Sequence, residues 1–148
     1  MYTYRAMEKS LGAPESHHVC KGLDYPELRR LDALEEDMAY FYGRQWRSEV
    51  TMTPATEAYV RRIEEVAADS SLAYLLVAHQ YTRYLGDLFG GQMMGAMATQ
   101  SLGLDENKGV AFYNFPKIVD QKAFITMWYG RLNELELSDQ EKKSVVDE

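Results

Sequence analysis

The chain has 148 residues, 46% hydrophobic and 26% charged, which suits one folded domain with a substantial core and excludes both disorder and an expectation of two domains. A net charge of −7 and a pI near 5.0 leave no electrostatic footprint for nucleic acid, and no basic run supplies one. Cys20 is the single cysteine, so there is no internal disulfide and no structural zinc spacing; no apolar run has the length of a membrane span and the N-terminus is unlike a signal peptide. The chain reads as soluble, in a reducing compartment.

In chain order, residues 2–11 have helix-compatible composition and are stopped by Gly12-Ala-Pro14, because a proline biases its predecessor away from helix. Met1 runs straight into this pattern, as if a longer helix had been cut. His17, His18 and Cys20 lie in the connection that follows and read as a solvated loop, with a metal set as the alternative if the loop folds back on itself. Asp24-Tyr-Pro26 opens a second helix, with Leu28, Leu31, Leu34, Met38 and Phe41 on an apolar stripe, Arg29, Arg30, Glu35 and Glu36 on the wet side, and Gly43 as the stop. Trp46 stands in a short connector and caps the core.

Thr53-Pro54 puts a hydroxyl at an N-cap and proline at the first helical position, leading into an inward face of Ala55, Tyr59, Ile63 and Val66. Asp69-Ser70-Ser71 offers caps for a long helix from about Leu72 to Leu102, bent near Gly90 and Gly91 and stopped by Gly103. After a polar loop at 104–109, residues 110–116 concentrate aromatics in an irregular segment fit to plug a pocket or a core. Residues 122–135 are helical, with Phe124, Met127, Trp128, Leu132 and Leu135 facing in, and Ser138-Asp-Gln-Glu141 is a capping box opening a last helix. No strand pattern or repeat occurs, so the fold class is all-α, one domain over residues 1–148.

One stretch conflicts with its surroundings. Tyr81-Thr-Arg-Tyr-Leu-Gly-Asp-Leu-Phe-Gly-Gly-Gln92 lies inside the long helix, yet each of Gly86, Gly90 and Gly91 costs about 0.8–1 kcal/mol relative to alanine there. Either a bend or the close approach of something flat compensates. Gly86 and Gly90 are four apart and share a face, with Asp87 beside it and Arg83 one turn earlier. That suits a broad ligand with polar chemistry at its edge. It also suits close helix packing at the glycines plus a surface Arg83–Asp87 ion pair, which is worth little in itself.

Other chemistries are poorly represented: there is no phosphate loop, dinucleotide fingerprint, nucleophile elbow or two-histidine zinc helix. Glu35-Glu36 and Glu64-Glu65 read as solvated. Eight methionines and eleven tyrosines suit an adaptable pocket wall or ordinary gap filling. His79 lies seven residues before Gly86, roughly 10 Å along a helix, and reads as a core or network histidine.

Leu75-Leu-Val-Ala-His-Gln-Tyr-Thr-Arg-Tyr-Leu-Gly-Asp-Leu-Phe-Gly-Gly-Gln92 closely resembles the signature of the haem (heme) oxygenase family. The resemblance extends through Leu34-Glu-Glu-Asp-Met-Ala-Tyr-Phe-Tyr-Gly43, Thr53-Pro-Ala with Tyr59-Val-Arg-Arg-Ile63, and Phe112-Tyr-Asn-Phe-Pro116, and so covers most of the chain. It implies an all-α heme-oxygenase-like bundle whose glycine-kinked distal helix faces heme, which is both substrate and cofactor. It further implies an oxidoreductase that converts heme to biliverdin, CO and iron, using O2 and electrons from a reductase or ferredoxin. On this resemblance Gly86 and Gly90, with Gly91 beside them, let backbone approach the heme. Asp87 orders the water that carries protons to oxygen at the iron, Arg83, Thr82 and Tyr4 join that network, and Tyr81 stands near the propionates. A carboxylate working through water delivers protons without becoming a ligand.

The family's iron ligand is a histidine on a first helix that precedes the segment where this chain begins. No histidine here matches it, so no metal ligand is assigned. Ile125 and Tyr129 stand near positions where the family sets basic residues against the propionates. The resemblance therefore implies a partial domain, incomplete at both termini, with the distal half of the site and impaired turnover. It would be soluble in the cytosol or a plastid, with a membrane tether only in a longer form. The alternative is a non-catalytic helical module that binds heme or a protein.

Overall fold

The computed structural model describes residues 1–13, 18–105 and 107–148. Its regular elements are all helical: α1 (Tyr2–Gly12), α2 (His18–Gly22), α3 (Leu31–Tyr42), α4 (Trp46–Glu49), α5 (Pro54–Ala68), α6 (Leu76–Gln80), α7 (Gly86–Leu102), α8 (Gln121–Asn133) and α9 (Asp139–Asp147). Short 3₁₀ turns occupy Pro26–Leu28, Ala73–Leu75 and Ala111–Tyr113. Pro14 and His17 lie outside the described residues. No described helix is long and apolar enough to cross a membrane.

The core forms where α1 lies along α5 and both meet the run from Ala73 to Leu88. Tyr4, Met7 and Leu11 recur at helical spacing and are buried, against Ile63 and Val66 of α5, Leu75, Leu76 and Val77, and Tyr84, Leu85 and Leu88. Each fully buried large apolar side chain contributes about 1.5–3 kcal/mol. Trp128 of α8 closes the far side, fully buried, with Nε1 donating to the Leu23 carbonyl at 3.2 Å. Trp46 is buried as expected, although its connector winds into α4.

Helix ends follow local chemistry. Thr53 Oγ1 accepts from the Thr56 amide, Asp120 accepts from Ala123, and Ser138 and Glu141 form the expected reciprocal box. Gly43 and Gly103 end α3 and α7 with φ of 77° and 60°. The second helix departs from expectation. Pro26–Leu28 closes a single 3₁₀ turn, Arg29 goes extended, and α3 begins at Leu31. Its cap comes from another helix: Glu8 Oε1 of α1 accepts from the amides of Arg30 and Leu31 at 2.7 and 3.0 Å.

The buried face of α3 also differs from the expected stripe. Phe41 is exposed, whereas Asp37 is buried and accepts from the amides of Ala111 and Phe112, both at 2.8 Å. Arg30, expected on the wet side, is also buried. Ala55 and Met127, expected to face in, are exposed. His18 begins α2 instead of lying in a loop, and Cys20 is buried, with its thiol donating to the Ala73 carbonyl at 3.1 Å. Asp69 ties its own turn through Ser71, while Leu72 holds the N-cap position of the following 3₁₀ turn.

The helical run from Ala73 to Leu102 is continuous, but its irregularity is not at Gly90 and Gly91. It lies at Tyr81–Leu85, a π-helical turn, after which α7 runs unbroken through the glycines. A π turn holds an extra residue, which places Tyr84 and Leu85 in the core and leaves Tyr81 and Thr82 exposed. The glycines of α7 divide between two faces. A Cβ on Gly91 would lie 3.4 Å from the Tyr113 ring, and one on Gly95 would lie 3.0 Å from Tyr113 Cβ, whereas one on Gly86 or Gly90 would meet nothing within 4 Å.

Two substitutions follow from this packing. Gly90→Ala adds a helix former in open space and is expected to raise stability by about 0.5–1 kcal/mol, whereas Gly95→Ala, blocked by Tyr113, lowers it; urea midpoints of the pair should move in opposite directions. Asp37→Ala removes a buried carboxylate that accepts from the Ala111 and Phe112 amides and is expected to cost about 1–3 kcal/mol in the same unfolding measurement.

Candidate functional site

One face of α7 is open and apolar. At 3.6 residues per turn, Gly86, Gly90, Met93 and Met97 fall on one stripe. Phe89, Met93, Met94 and Met97 are exposed, Met93 at 70%. The result is a strip of bare backbone between soft apolar side chains, a surface that marks a ligand or partner site. The packing alternative for the glycines holds for Gly91, which is buried under Tyr113, and fails for Gly86 and Gly90. Gly91 therefore sits on the opposite face of α7 from the strip.

Asp87 stands at the margin of the strip, held by a helix far away in sequence. The Tyr4 hydroxyl of α1 donates to Asp87 Oδ2, and the Tyr4 ring is fixed edge-on to Tyr84 and Phe112, with centroids 5.8 and 5.4 Å away. Burial pushes the Asp87 carboxyl up to about 6, against the opposing pull of the Tyr4 hydrogen bond and the charges of Arg83 and Arg30. The Tyr4 phenol is driven above its usual range by its own burial and then by the Asp87 charge.

Arg83 does not form the expected surface pair with Asp87. Its Nε donates to the Tyr59 hydroxyl at 3.3 Å and its guanidinium lies 4.8 Å from that ring's centroid. The physical reason is the π turn, which breaks the i,i+4 register between residues 83 and 87 and hands Arg83 to α5. Tyr59 shares a 3.0 Å hydrogen bond with His79 Nδ1, and His79 Nε2 lies 3.3 Å from the Glu148 carboxylate, which Arg62 clasps. His79 is thus a buried network residue, with its pKa lowered by burial.

Arg30 is the site residue that sequence reasoning missed. Its guanidinium donates to the carbonyls of Phe112 and Asn114, lies 3.8 Å from the Phe115 ring centroid, and places a positive charge within reach of Asp87. An arginine between Leu28 and Leu31 was the available signal. Tyr81 and Thr82 are exposed in the π turn, and the Tyr81 hydroxyl lies 3.3 Å from that of Tyr129.

A broad, flat ligand fits this strip on one side, because no side chain stands over Gly86 or Gly90 and the flanks are apolar. No described histidine faces it: His79 is turned to Tyr59, and His18 belongs to α2, which packs against α6 and the turn Ala73–Leu75. Among the described residues no cluster of three His, Cys, Asp or Glu could hold a metal ion.

The heme oxygenase family model matches residues 1–148. Heme oxygenase 1 of Nostoc sp. is 40% identical over 147 residues, covering 99% of this chain and 61% of that protein. Heme oxygenase 1 of Rattus norvegicus is 40% identical over 149 residues, covering 99% of this chain and 51% of that protein. This chain therefore spans between half and about three fifths of those relatives. The structure of heme oxygenase-2 from Synechocystis sp. PCC 6803, in complex with heme and NO, superposes with a TM-score of 0.93 at 36% identity, covering 99% of this chain and 60% of that one. Heme oxygenase from Leptospira interrogans superposes with a TM-score of 0.92 at 39% identity, covering 99% and 70%. With a match running from the first residue to the last and the same helical fold, the chain belongs to the heme oxygenase family.

Proposed function

We propose that this chain supplies the Gly86–Gly90 face of a heme oxygenase site, for oxidative cleavage of heme to biliverdin, CO and iron with O2 and electrons from a reductase or ferredoxin. The observation that carries this reading is the juxtaposition of an open glycine strip with a half-buried, protonatable carboxyl at its margin. Heme, when bound, supplies the iron centre at which oxygen is activated and is itself the molecule consumed. Gly86 and Gly90 admit it to backbone contact, while Phe89, Met93 and Met97 exclude water from its flanks. Tyr4 fixes one oxygen of Asp87, leaving the other free to hold water. A carboxyl raised to about 6 both holds and releases a proton near neutral pH. Arg83, anchored on Tyr59, and Arg30, anchored on backbone carbonyls, keep the ionised form attainable despite its burial. The single cysteine, buried as a thiol, suits a reducing compartment, and we place the protein in the cytosol or a plastid.

The test is a heme titration of the 148-residue chain with and without free imidazole, since no described histidine faces the strip. A Soret shift tightened by imidazole supports the reading; no shift under either condition overturns it. Binding without biliverdin in the presence of reductant, O2 and imidazole would favour a non-catalytic heme-binding module. Where turnover is measurable, Asp87→Asn should lower it by about 10²–10⁴-fold, the usual loss for a general acid, with heme affinity little changed.

Asp87 also sets a pH dependence of stability. Its folded pKa lies above the ordinary value of 3.8, so the fold binds the proton more tightly than the unfolded chain does. The contribution is present at low pH and is lost as pH rises through about 6. Asp87→Asn should therefore be the more stable protein above pH 6, by on the order of 1–2 kcal/mol, with the advantage vanishing below the ordinary carboxylate value. Chemical unfolding across pH measures it.

A further inference from the structure

Two phenols from different helices meet at the rim of the strip. Tyr81 in the π turn and Tyr129 on α8 have hydroxyl oxygens 3.3 Å apart, ring centroids 6.1 Å apart and ring planes inclined at 67°. Tyr81 is 43% exposed and Tyr129 is half-buried. Phe89, on the strip, lies 6.4 Å from Tyr129, and Trp128 lies 6.2 Å from both tyrosines, so aromatic rings run unbroken from the open face to the core. Among the described residues, the other exposed or paired tyrosines are arranged differently. Tyr40 is equally exposed, but its ring neighbour is Phe41 at 5.1 Å, and the Tyr4–Tyr84 pair is buried on both sides.

We propose that Tyr81 and Tyr129 form an oxidative modification site, at which hydrogen peroxide, acting through a one-electron oxidation catalyst, couples the two rings into an intramolecular dityrosine. The proposal rests on the heme reading only for its natural catalyst, bound heme at the adjacent strip. Each phenol gives up one electron and its hydroxyl proton, and unpaired spin spreads to the ring carbons beside the oxygen. Those carbons flank the two hydroxyls that already touch, and the exposure of Tyr81 leaves it room to rotate. One C–C bond forms, each coupling carbon then loses its hydrogen, and both hydroxyls are restored as the rings regain aromaticity. The two electrons and two protons lost overall reduce one peroxide to two waters. The hydrogen bond between the phenols raises Tyr129 above its ordinary value, and the same bond gives the departing proton a neighbour to move toward.

The experiment exposes the dilute full chain to hydrogen peroxide, with an added peroxidase in one arm and with heme in the other. The expected product is monomeric, has lost two hydrogens, shows blue dityrosine fluorescence and yields a linked peptide joining residues 81 and 129. Methionine oxidation adds oxygen and is separated by mass. The linked peptide should be lost in Tyr81→Phe and Tyr129→Phe, which keep the ring packing and an unchanged circular dichroism spectrum, and kept in Tyr40→Phe. Absence of the link in the peroxidase arm, its persistence in Tyr129→Phe, or dimers alone would overturn the site. Linking by peroxidase but not by heme would support the site and count against bound heme as its catalyst.

Discussion

Bare backbone on both sides of one helix is the constraint on which this structure depends. In the 17 residues of α7, Gly91 and Gly95 must be small for Tyr113 to lie against them, while Gly86 and Gly90 keep the opposite face clear. Four glycines remove about 3–4 kcal/mol of helix propensity relative to alanine, so α7 is not held by its own preferences. It is held by Leu85 and Leu88 in the core and by the segment 110–116 pressed onto its back. That segment is in turn tied to α3 by Asp37 and to the Arg30 guanidinium by two carbonyls. The open face exists because the closed face is so well fastened.

The same elements set the electrostatics. Asp87, Tyr4 and Arg30 come from α7, α1 and the start of α3, so the carboxyl is tuned only when three helices are docked. Arg30 serves twice, fastening the aromatic segment and placing a charge near Asp87. A substitution there would disturb packing and acidity together, whereas Tyr4, whose ring is fixed by its neighbours, separates the two more cleanly.

Much of this was legible in the residues. The Thr53 and Ser138 caps, the stops at Gly43 and Gly103 and the Tyr59, Ile63 and Val66 face of α5 are local effects, and local patterns report them. The shared face of Gly86 and Gly90 follows from helical spacing alone. What stayed hidden is long-range. Arg30 read as solvated because charged residues usually are, and nothing local marked Asp37; both find backbone partners more than 70 residues away, Arg30 beside its nearby ones. Glu8 capping α3 is of the same kind. Gly90 and Gly91 look alike in a list of residues, and only the register against Tyr113 separates them. The π turn has no local signature, so the Arg83–Asp87 spacing suggested a pair that the backbone does not permit.

The π turn makes the helical run two instruments in different phase. Upstream, the face carrying His79 and Arg83 is set toward Tyr59; downstream, the glycines are set toward open space and Tyr113. Winding the five residues Tyr81–Leu85 as ordinary α-helix, with none removed, would turn everything beyond them by about one residue's rotation, about 100°. Gly86 and Gly90 would rotate away from the open side, and methionines would meet Tyr113. The length of that one turn, more than the identity of any residue in it, aims the surface.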